Sequence, residues 1–294
     1  MMSGGPFLSA RIDATGGLGC DDTTVPWWSV TKAVLATAAL RLAGRGAVAL
    51  DDPVDDRPFT LRQLLQHRAG VPNYGALPAY HQAVRRGEPP WPVAQLLERV
   101  KADQLDFEPG RGWAYSNVGY LLVRQLIERV TGQDLGGALR RLVLDDLGLA
   151  SVRLATTPQD IAGTAWGNAG HYDPGWVYHG LLVGTPADAA RFLHHLMTGA
   201  LLPPRPLAEM TARHPIGGPV PGRPWRTTGY GLGLMIGEMP PAGLAMGHSG
   251  VGPGSSGAVY HFGDRATPCT VAAFSRDDRE DAAEHEAVRL AGRS

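Results

Sequence analysis

The most continuous apolar stretch of the chain predicts a helix over residues 29–43. Its apolar positions lie around the whole helical circumference, which is typical of a helix buried on every side. They are Val30, Val34, Leu35, Ala38, Leu40 and Leu42. Gly44 and Gly46 follow and end the pattern. We therefore expect this helix at the centre of the fold.

Helical patterns with capping residues dominate the middle of the chain. Thr60 can cap a helix over 61–67, and Thr185, followed by Pro186 and Asp188, has the pattern of an N-cap with a first-turn proline. Asn117 is expected at the cap of a third helix. The predicted helices are 61–67, 92–100, 117–130 and 185–197.

The two ends of the chain have the pattern of strands. One or two short strands are expected in the first 28 residues, and four more after Gly229, at 230–236, 243–247, 257–262 and 270–275. A helix over 278–291 closes the chain. The pattern predicts an α+β fold, with an antiparallel sheet built from both chain ends around a large helical insert. We expect one domain over 1–294, with an α/β lobe from about 1–50 and 225–294 and a helical lobe over 51–224.

Composition excludes several classes of protein. Hydrophobic residues make up 44% of the chain and charged residues 19%, which excludes a disordered or fibrous protein. A formal net charge of -1 does not favour binding to nucleic acid or to an anionic membrane. The chain lacks an apolar run of the ~18 residues needed to cross a bilayer and a secretory signal pattern, so we expect a cytoplasmic protein. Cys20 and Cys269 are expected to be reduced and unpaired, and no cofactor or metal is predicted.

Lysine is rare in this chain, and one of its lysines lies in the apolar helix. Only two of the 27 basic residues are lysines, Lys32 and Lys101. In Ser29-Val30-Thr31-Lys32 the hydroxyl and the amine are three residues apart and share one face of the helix. Burial lowers the pKa of a lysine, and its neutral amine can then accept the serine proton, which arginine cannot do. Such a spacing also occurs by chance, so the motif alone does not establish a catalytic function.

Two further segments carry candidate chemistry. Tyr115 precedes a helix, and a phenol near a lysine can titrate low enough to relay protons, while the Asn117 amide can hold a substrate. The alternative is a core tyrosine and a helix cap. In Gly247-His248-Ser249-Gly250-Val251, the backbone N–H of Val251 could join that of Ser29 as an oxyanion donor, with His248 directed at the same place. A histidine in a glycine-rich loop is otherwise often a surface residue.

These segments, in this order, resemble the motifs S-x-x-K, Y-x-N and K- or H-x-G of the penicillin-recognising serine hydrolases. That family includes class C β-lactamases, D-Ala-D-Ala carboxypeptidases, D-aminopeptidases and β-lactamase-like esterases. Further resemblances span residues 29 to about 275. They are 61–72 (LRQLLQHRAGVP, like LLxHxSGLP), 107–120 (FEPGRGWAYSNVGY), 147–149 (LGL) and 230–233 (YGLG). Ala69 stands where the family has serine.

The resemblance implies roles for the site residues. Ser29 would be the nucleophile, with Lys32 as its proton acceptor or as the tuner of Tyr115. Tyr115 would exchange protons with the nucleophile and the leaving group, and Asn117 would hold the acyl side of the substrate. His248 would contribute electrostatics. How Lys32 and Tyr115 divide the role of base stays open.

The expected function is hydrolysis of small esters, or of amides that contain D-amino acids, through an acyl-enzyme. His248 in place of lysine provides no permanent cation for a substrate carboxylate. The alternatives are an acyltransferase, a β-lactamase or DD-carboxypeptidase, and a penicillin-binding sensor without turnover. Position and composition suggest an aromatic cleft. Its expected walls are Trp27 or Trp28, Tyr74 and residues 163–178, with Trp166, His171, Tyr172 and Trp176.

Overall fold

The computed structural model describes residues 7–18, 22–166 and 172–293. Its strands are β1 (Phe7–Asp13), β2 (Gly16–Leu18), β3 (Val25–Pro26), β4 (Arg153–Ala155), β5 (Leu181–Gly184), β6 (His214–Gly217), β7 (Thr228–Tyr230), β8 (Met235–Met239), β9 (Gly243–Gly252), β10 (Ser255–Phe262) and β11 (Cys269–Ser275). Its α-helices are α1 (Thr31–Gly44), α2 (Leu61–Leu65), α3 (Pro78–Arg85), α4 (Val93–Arg99), α5 (Asn117–Thr131), α6 (Leu135–Leu139), α7 (Pro158–Ala162), α8 (Pro186–Met197), α9 (Pro204–Thr211) and α10 (Glu280–Ala291).

The large sheet joins the two ends of the chain. Its strand order is β2-β1-β11-β10-β9-β8-β7-β6, and the pairs are antiparallel. The N-terminal β1 pairs with the C-terminal β11, from Phe7 opposite Ser275 to Asp13 opposite Cys269. Most helices lie between these strands in the sequence. The predicted α+β fold, with a sheet from both chain ends, is confirmed.

Helices cover the centre of the sheet on both faces. Val259, Ala272 and Phe274 belong to the main core together with α1 and α8. The alternate residues of β10 and β11 pack with α10 instead. Successive side chains of a strand point to opposite faces, and strands covered on both faces become continuously apolar.

The apolar helix predicted from the sequence lies in the main core as α1. From Thr31 to Leu40 every side chain is buried, including Lys32. The helix starts later than predicted, because Trp28–Val30 form a 3-10 turn and the α-helix begins at Thr31. Ser29 therefore lies in the turn that leads into the helix.

The prediction of one strand over 230–236 is wrong. The chain forms β7 and β8 instead, separated by a tight connection at 231–234. In this connection Leu232 N–H donates to the Met210 carbonyl and Gly233 N–H to that of Leu65. Gly233 has φ of 78° and packs so closely on α1 that a Cβ there would overlap Ala36. Close backbone approach to α1 thus interrupts the strand.

A small second sheet, with the order β3-β5-β4, is absent from the sequence predictions. Its strands have two to four residues, too few to give a periodic pattern. It continues past β3, because Trp27 N–H donates to the Leu182 carbonyl at 2.8 Å. Thr31 Oγ1 in turn accepts from Leu182 N–H at 3.1 Å. The sheet therefore joins β5 to the start of α1.

The structure bears on part of two predictions made from composition, the cellular location and the state of the cysteines. Within the described ranges, no helix combines the length and the apolar character that crossing a bilayer requires. Cys269 is a buried free thiol in β11, and Cys20 lies outside the described residues. Cytoplasmic location and unpaired cysteines stay predictions.

Candidate active site

The turn that carries Ser29 is fixed by a strained tryptophan and by two glycines of β9. Trp28 has φ of 45°, an uncommon conformation for a bulky residue. Its buried indole N–H donates to Ser255 Oγ at 2.9 Å. A Cβ at Gly252 would overlap the Trp28 ring, and a Cβ at Gly250 would overlap the backbone nitrogen of Ser29. Glycine at these positions allows β9 to approach the half-buried Ser29.

Lys32 lies one turn beyond Ser29 and is fully buried. Its Nζ is 2.9 Å from Ser29 Oγ, 2.8 Å from Asn117 Oδ1 and 3.2 Å from His179 Nε2. Burial lowers the pKa of Lys32 well below its ordinary value, and the negative charge of Glu280 opposes that shift. The amine is therefore biased toward the neutral form, which can accept a proton from Ser29.

Tyr115 is the second group on the Ser29 hydroxyl. Its Oη lies 2.9 Å from Ser29 Oγ, and Lys32 Nζ is 4.9 Å from the centre of its ring. The expectation that this phenol titrates low is wrong. Burial raises the pKa of Tyr115, outweighing its hydrogen bond with Ser29, and Glu280 raises it further. The phenol therefore remains protonated at neutral pH and acts as a donor.

Asn117 is the first residue of α5 and not its cap. Ser116 is the cap, because its Oγ accepts from Gly119 N–H at 2.9 Å. The Asn117 side chain is thus available to accept from Lys32, and it donates through Nδ2 to Asn73 Oδ1 at 3.3 Å. Asn73 also accepts from the Asn117 backbone N–H at 3.1 Å. Asn73 orients the amide and was not identified from the sequence.

His67 supports Tyr115 from behind. It is buried, and its ring centre lies 4.3 Å from that of Tyr115 and 4.8 Å from that of Tyr230. Its Nδ1 accepts from Ser116 N–H at 3.1 Å. Burial lowers the pKa of His67 well below its ordinary value. The neutral ring fixes the start of α5 and with it the position of Tyr115.

His248 is buried in β9, so the interpretation as a surface histidine is wrong. Its Nε2 lies 2.8 Å from Tyr230 Oη, and its Nδ1 contacts the Ser249 carbonyl oxygen. Burial lowers the pKa of His248 to about 3, and Lys32 contributes to the same shift. The imidazole is therefore neutral at physiological pH.

Ser29, Asn117, His179 and Val251 line one cleft of about 120 Å³. The close approach of Gly250 brings the β9 backbone beside the Ser29 backbone N–H. Two backbone donors near one serine can stabilise a tetrahedral oxyanion. The cleft thus contains the candidate nucleophile and its candidate oxyanion donors.

The walls of this cleft are largely aromatic. Of the predicted residues, Trp28, Tyr74 and Tyr172 line it, together with Tyr80, which was not predicted. Trp27 does not, because it is buried and donates to the Gly184 carbonyl at 3.3 Å. Trp176 packs behind Tyr80, with ring centres 5.4 Å apart. Trp166 packs against the main core, and His171 lies outside the described residues.

His179 is a polar residue of the cleft that sequence reasoning missed. The stretch predicted for the cleft wall ends at residue 178, and a single histidine 147 residues beyond Lys32 carries no motif. The small sheet explains its position, because β5 begins two residues later and pairs with β3 just before Ser29. Burial lowers the pKa of His179 well below its ordinary value, with Lys32 acting in the same direction. Its neutral Nε2 can accept a hydrogen bond from Lys32.

Comparison with known proteins identifies the family. The family model described as beta-lactamase matches residues 13–293, so the chain belongs to the beta-lactamase family. This confirms the resemblance deduced from the motifs.

Three relatives are informative. Esterase EstB of Burkholderia gladioli is 34% identical over 149 residues, which are 44% of this chain and 38% of the esterase. Penicillin-binding protein 4* of Bacillus subtilis (strain 168) is 24% identical over 288 residues, 86% of this chain and 61% of that protein. The chain thus spans less than two thirds of these two proteins. The crystal structure of a D-stereospecific amidohydrolase from Streptomyces sp. matches with a TM-score of 0.81 and 27% identity, covering 97% of this chain and 93% of the other.

Proposed function

We propose that this protein is a serine hydrolase that cleaves small esters or amides through an acyl-enzyme on Ser29. The observation that carries the proposal is that Ser29 Oγ lies 2.9 Å from the buried Lys32 Nζ and 2.9 Å from Tyr115 Oη. Burial favours the neutral form of Lys32, which can accept a proton. It also favours the protonated form of Tyr115, which can donate one. A proton acceptor and a proton donor on one hydroxyl are what acyl transfer requires.

In acylation, Ser29 Oγ forms a bond to the substrate carbonyl carbon while its proton passes to Lys32 Nζ. The N–H groups of Ser29 and Val251 stabilise the oxyanion. When the carbonyl re-forms, the bond to the leaving group breaks, and Tyr115 Oη donates a proton to the departing nitrogen or oxygen. The proton that Lys32 received then passes to Tyr115 and restores the neutral phenol. Water attack on the acyl-enzyme by the reverse sequence releases the acid.

The substrate class is inferred from the neutral His248. A permanent cation at the third motif would attract the carboxylate of a β-lactam or of a D-Ala terminus, whereas His248 with a pKa of about 3 cannot. The aromatic cleft suits an apolar acyl group. Similarity to an esterase and to a D-stereospecific amidohydrolase supports esters and D-amino-acid amides.

The test is a substrate panel assayed with wild type and Ser29→Ala. It contains p-nitrophenyl esters, D- and L-amino acid amides and nitrocefin. We expect turnover of esters or D-amides that Ser29→Ala abolishes. Turnover of nitrocefin that rivals that of the esters would favour a β-lactamase instead. A persistent adduct on Ser29 without turnover would indicate a sensor, and aminolysis products with added amines would indicate an acyltransferase.

A further inference from the structure

A second cavity, of about 350 Å³, lies beside Tyr115 and His248. Most of its lining is apolar, with contributions from Trp113, Val220 and Met235. Ile216 also lines it and exposes 38% of its surface. The size and the apolar lining fit a small organic group, and no step described so far places one there.

Tyr115 connects this second cavity to the reaction. Its phenol contacts Ser29 Oγ and also lines the second cavity. If Tyr115 donates a proton to the departing atom, as proposed above, the leaving group must depart within hydrogen-bond reach of its Oη. The cleft with Asn117 and Val251 then holds the acyl side, and the second cavity is beside the departing group.

The charged groups of the second cavity are Arg223 and Glu280, which pair at 2.6 Å. Each nitrogen of the Arg223 guanidinium has a partner in the protein, because Nε and Nη2 also donate to the buried Glu284, and Nη2 to Ser249 Oγ. Glu284 further accepts from Trp225 and Tyr260. One guanidinium between two carboxylates leaves a net charge of about -1, and Glu280 is the carboxylate that lines the cavity.

The charge of Glu280 reaches the reacting groups. It opposes the lowering of the Lys32 pKa, and it adds to the raising of the Tyr115 pKa. The pKa of Glu280 itself is raised, because burial outweighs the lowering by the Arg223 guanidinium and the nearby Glu284 raises it further. With His248 neutral and Arg223 occupied, the second cavity offers a carboxylate no free cation among the described residues.

We propose that the second cavity receives the leaving group, and that Glu280 selects neutral or cationic apolar leaving groups over those that carry a carboxylate. The favoured class is alkyl or aryl alcohols and amines, including those with an ammonium group. This inference rests on the proposed function and adds to it a preference for the charge of the leaving group. Repulsion by Glu280 acts before and during bond cleavage, so kcat/KM is the sensitive quantity.

The test uses three aryl esters with one common acyl group. Their phenols carry at the meta position a carboxylate, a carboxamide or a trimethylammonium group. Each kcat/KM is divided by the rate of alkaline hydrolysis, which removes intrinsic reactivity. In wild type we expect the carboxamide and the trimethylammonium esters to exceed the carboxylate ester by about tenfold or more, as a single charge at short range produces.

The variants are Glu280→Gln and Glu280→Ala, with Glu286→Gln as the control. Glu286 lies on the same helix and pairs with Arg289. We expect both Glu280 variants to reduce the preference by about tenfold and the control to keep it, with melting curves confirming folding. An unchanged preference in folded Glu280 variants that retain Ser29-dependent turnover overturns this inference alone. Absence of Ser29-dependent turnover of all three esters overturns the proposed function and this inference with it.

Discussion

The amine of Lys32 lies 2.9 Å from the hydroxyl oxygen of Ser29, one helical turn away, with no exposed surface of its own. The helix supplies the spacing, and the core around α1 supplies the burial. Together they place beside the Ser29 hydroxyl an amine that can accept its proton at neutral pH. The other contacts of the amine, Asn117 and His179, are uncharged acceptors at that pH and can orient it.

The first prediction concerns Tyr115. Tyr115→Phe removes the proposed donor to the leaving group, so hydrolysis of an alkyl amide should fall by about 100-fold, within the range typical of general acids. A p-nitrophenyl ester should lose far less, because its leaving group departs as a stable anion. Steady-state kcat/KM for the two substrates checks this. An equal loss for both would assign Tyr115 to the activation of Ser29 instead.

The second prediction makes His179 a positioning residue for Lys32. His179→Ala removes an acceptor 3.2 Å from Nζ, and kcat should fall about tenfold with KM little changed, as expected for a misplaced reactive group. His179→Gln offers an amide oxygen in its place and should restore most of kcat. If Gln and Ala variants of equal thermal stability are equally impaired, hydrogen bonding to Lys32 is not the role of His179.

The third prediction concerns the approach of β9 to Ser29. A methyl group at Gly250 would overlap the Ser29 backbone nitrogen, so Gly250→Ala should displace the oxyanion donors. We expect kcat to fall by about 100-fold, a loss typical of an impaired oxyanion site. Gly44→Ala is the control, because a Cβ there meets nothing within 4 Å. Wild-type kcat in a folded Gly250→Ala variant would show that β9 does not contribute to the oxyanion site.

The fourth prediction is loss of stability in acid. Burial lowers the pKa of His248 from 6.5 to about 3. Between these values the unfolded chain binds a proton that the folded protein excludes, so the free energy of unfolding should decrease as the pH falls from about 6.5 toward 3. The pKa values of His67 and His179 are shifted in the same direction.

Urea unfolding at pH 7 and pH 5 measures this effect. The loss of unfolding free energy on acidification should be smaller in His248→Gln than in wild type, since glutamine does not titrate. His81→Gln, at an exposed position, should behave like wild type. A loss of equal size in His248→Gln would show that this histidine does not contribute to acid sensitivity.

Much of the site could be predicted from local spacing. Ser29 in the 3-10 turn and Lys32 in the first turn of α1 are three residues apart, so their proximity follows from helical geometry. His179 and Asn73 could not be found in this way, because tertiary contacts bring them to the site and no motif marks them. The protonation of Tyr115 was predicted in the wrong direction, since the sequence shows a nearby lysine but not the burial that outweighs it. The division into two lobes stays a prediction.

The strands show the same limit. Strands β10 and β11 were predicted within two residues of their bounds, because continuous apolar runs persist where helices cover both faces. Strands β3 to β5 are too short for a period, and the interruption between β7 and β8 depends on contacts with α1. Local pattern predicts elements, whereas close approach between distant segments determines where they break.

The most direct test of the central claim is the rate at which an organophosphonate ester labels Ser29, followed by intact mass and peptide mapping. Wild type should gain one adduct, on Ser29. Lys32→Arg replaces the amine with a guanidinium that stays protonated and cannot act as a neutral base, so its labelling should be at least ~100-fold slower. Lys101→Arg, at an exposed lysine, should label at the wild-type rate. Labelling of Lys32→Arg at the wild-type rate, or an adduct on a residue other than Ser29, would contradict the account.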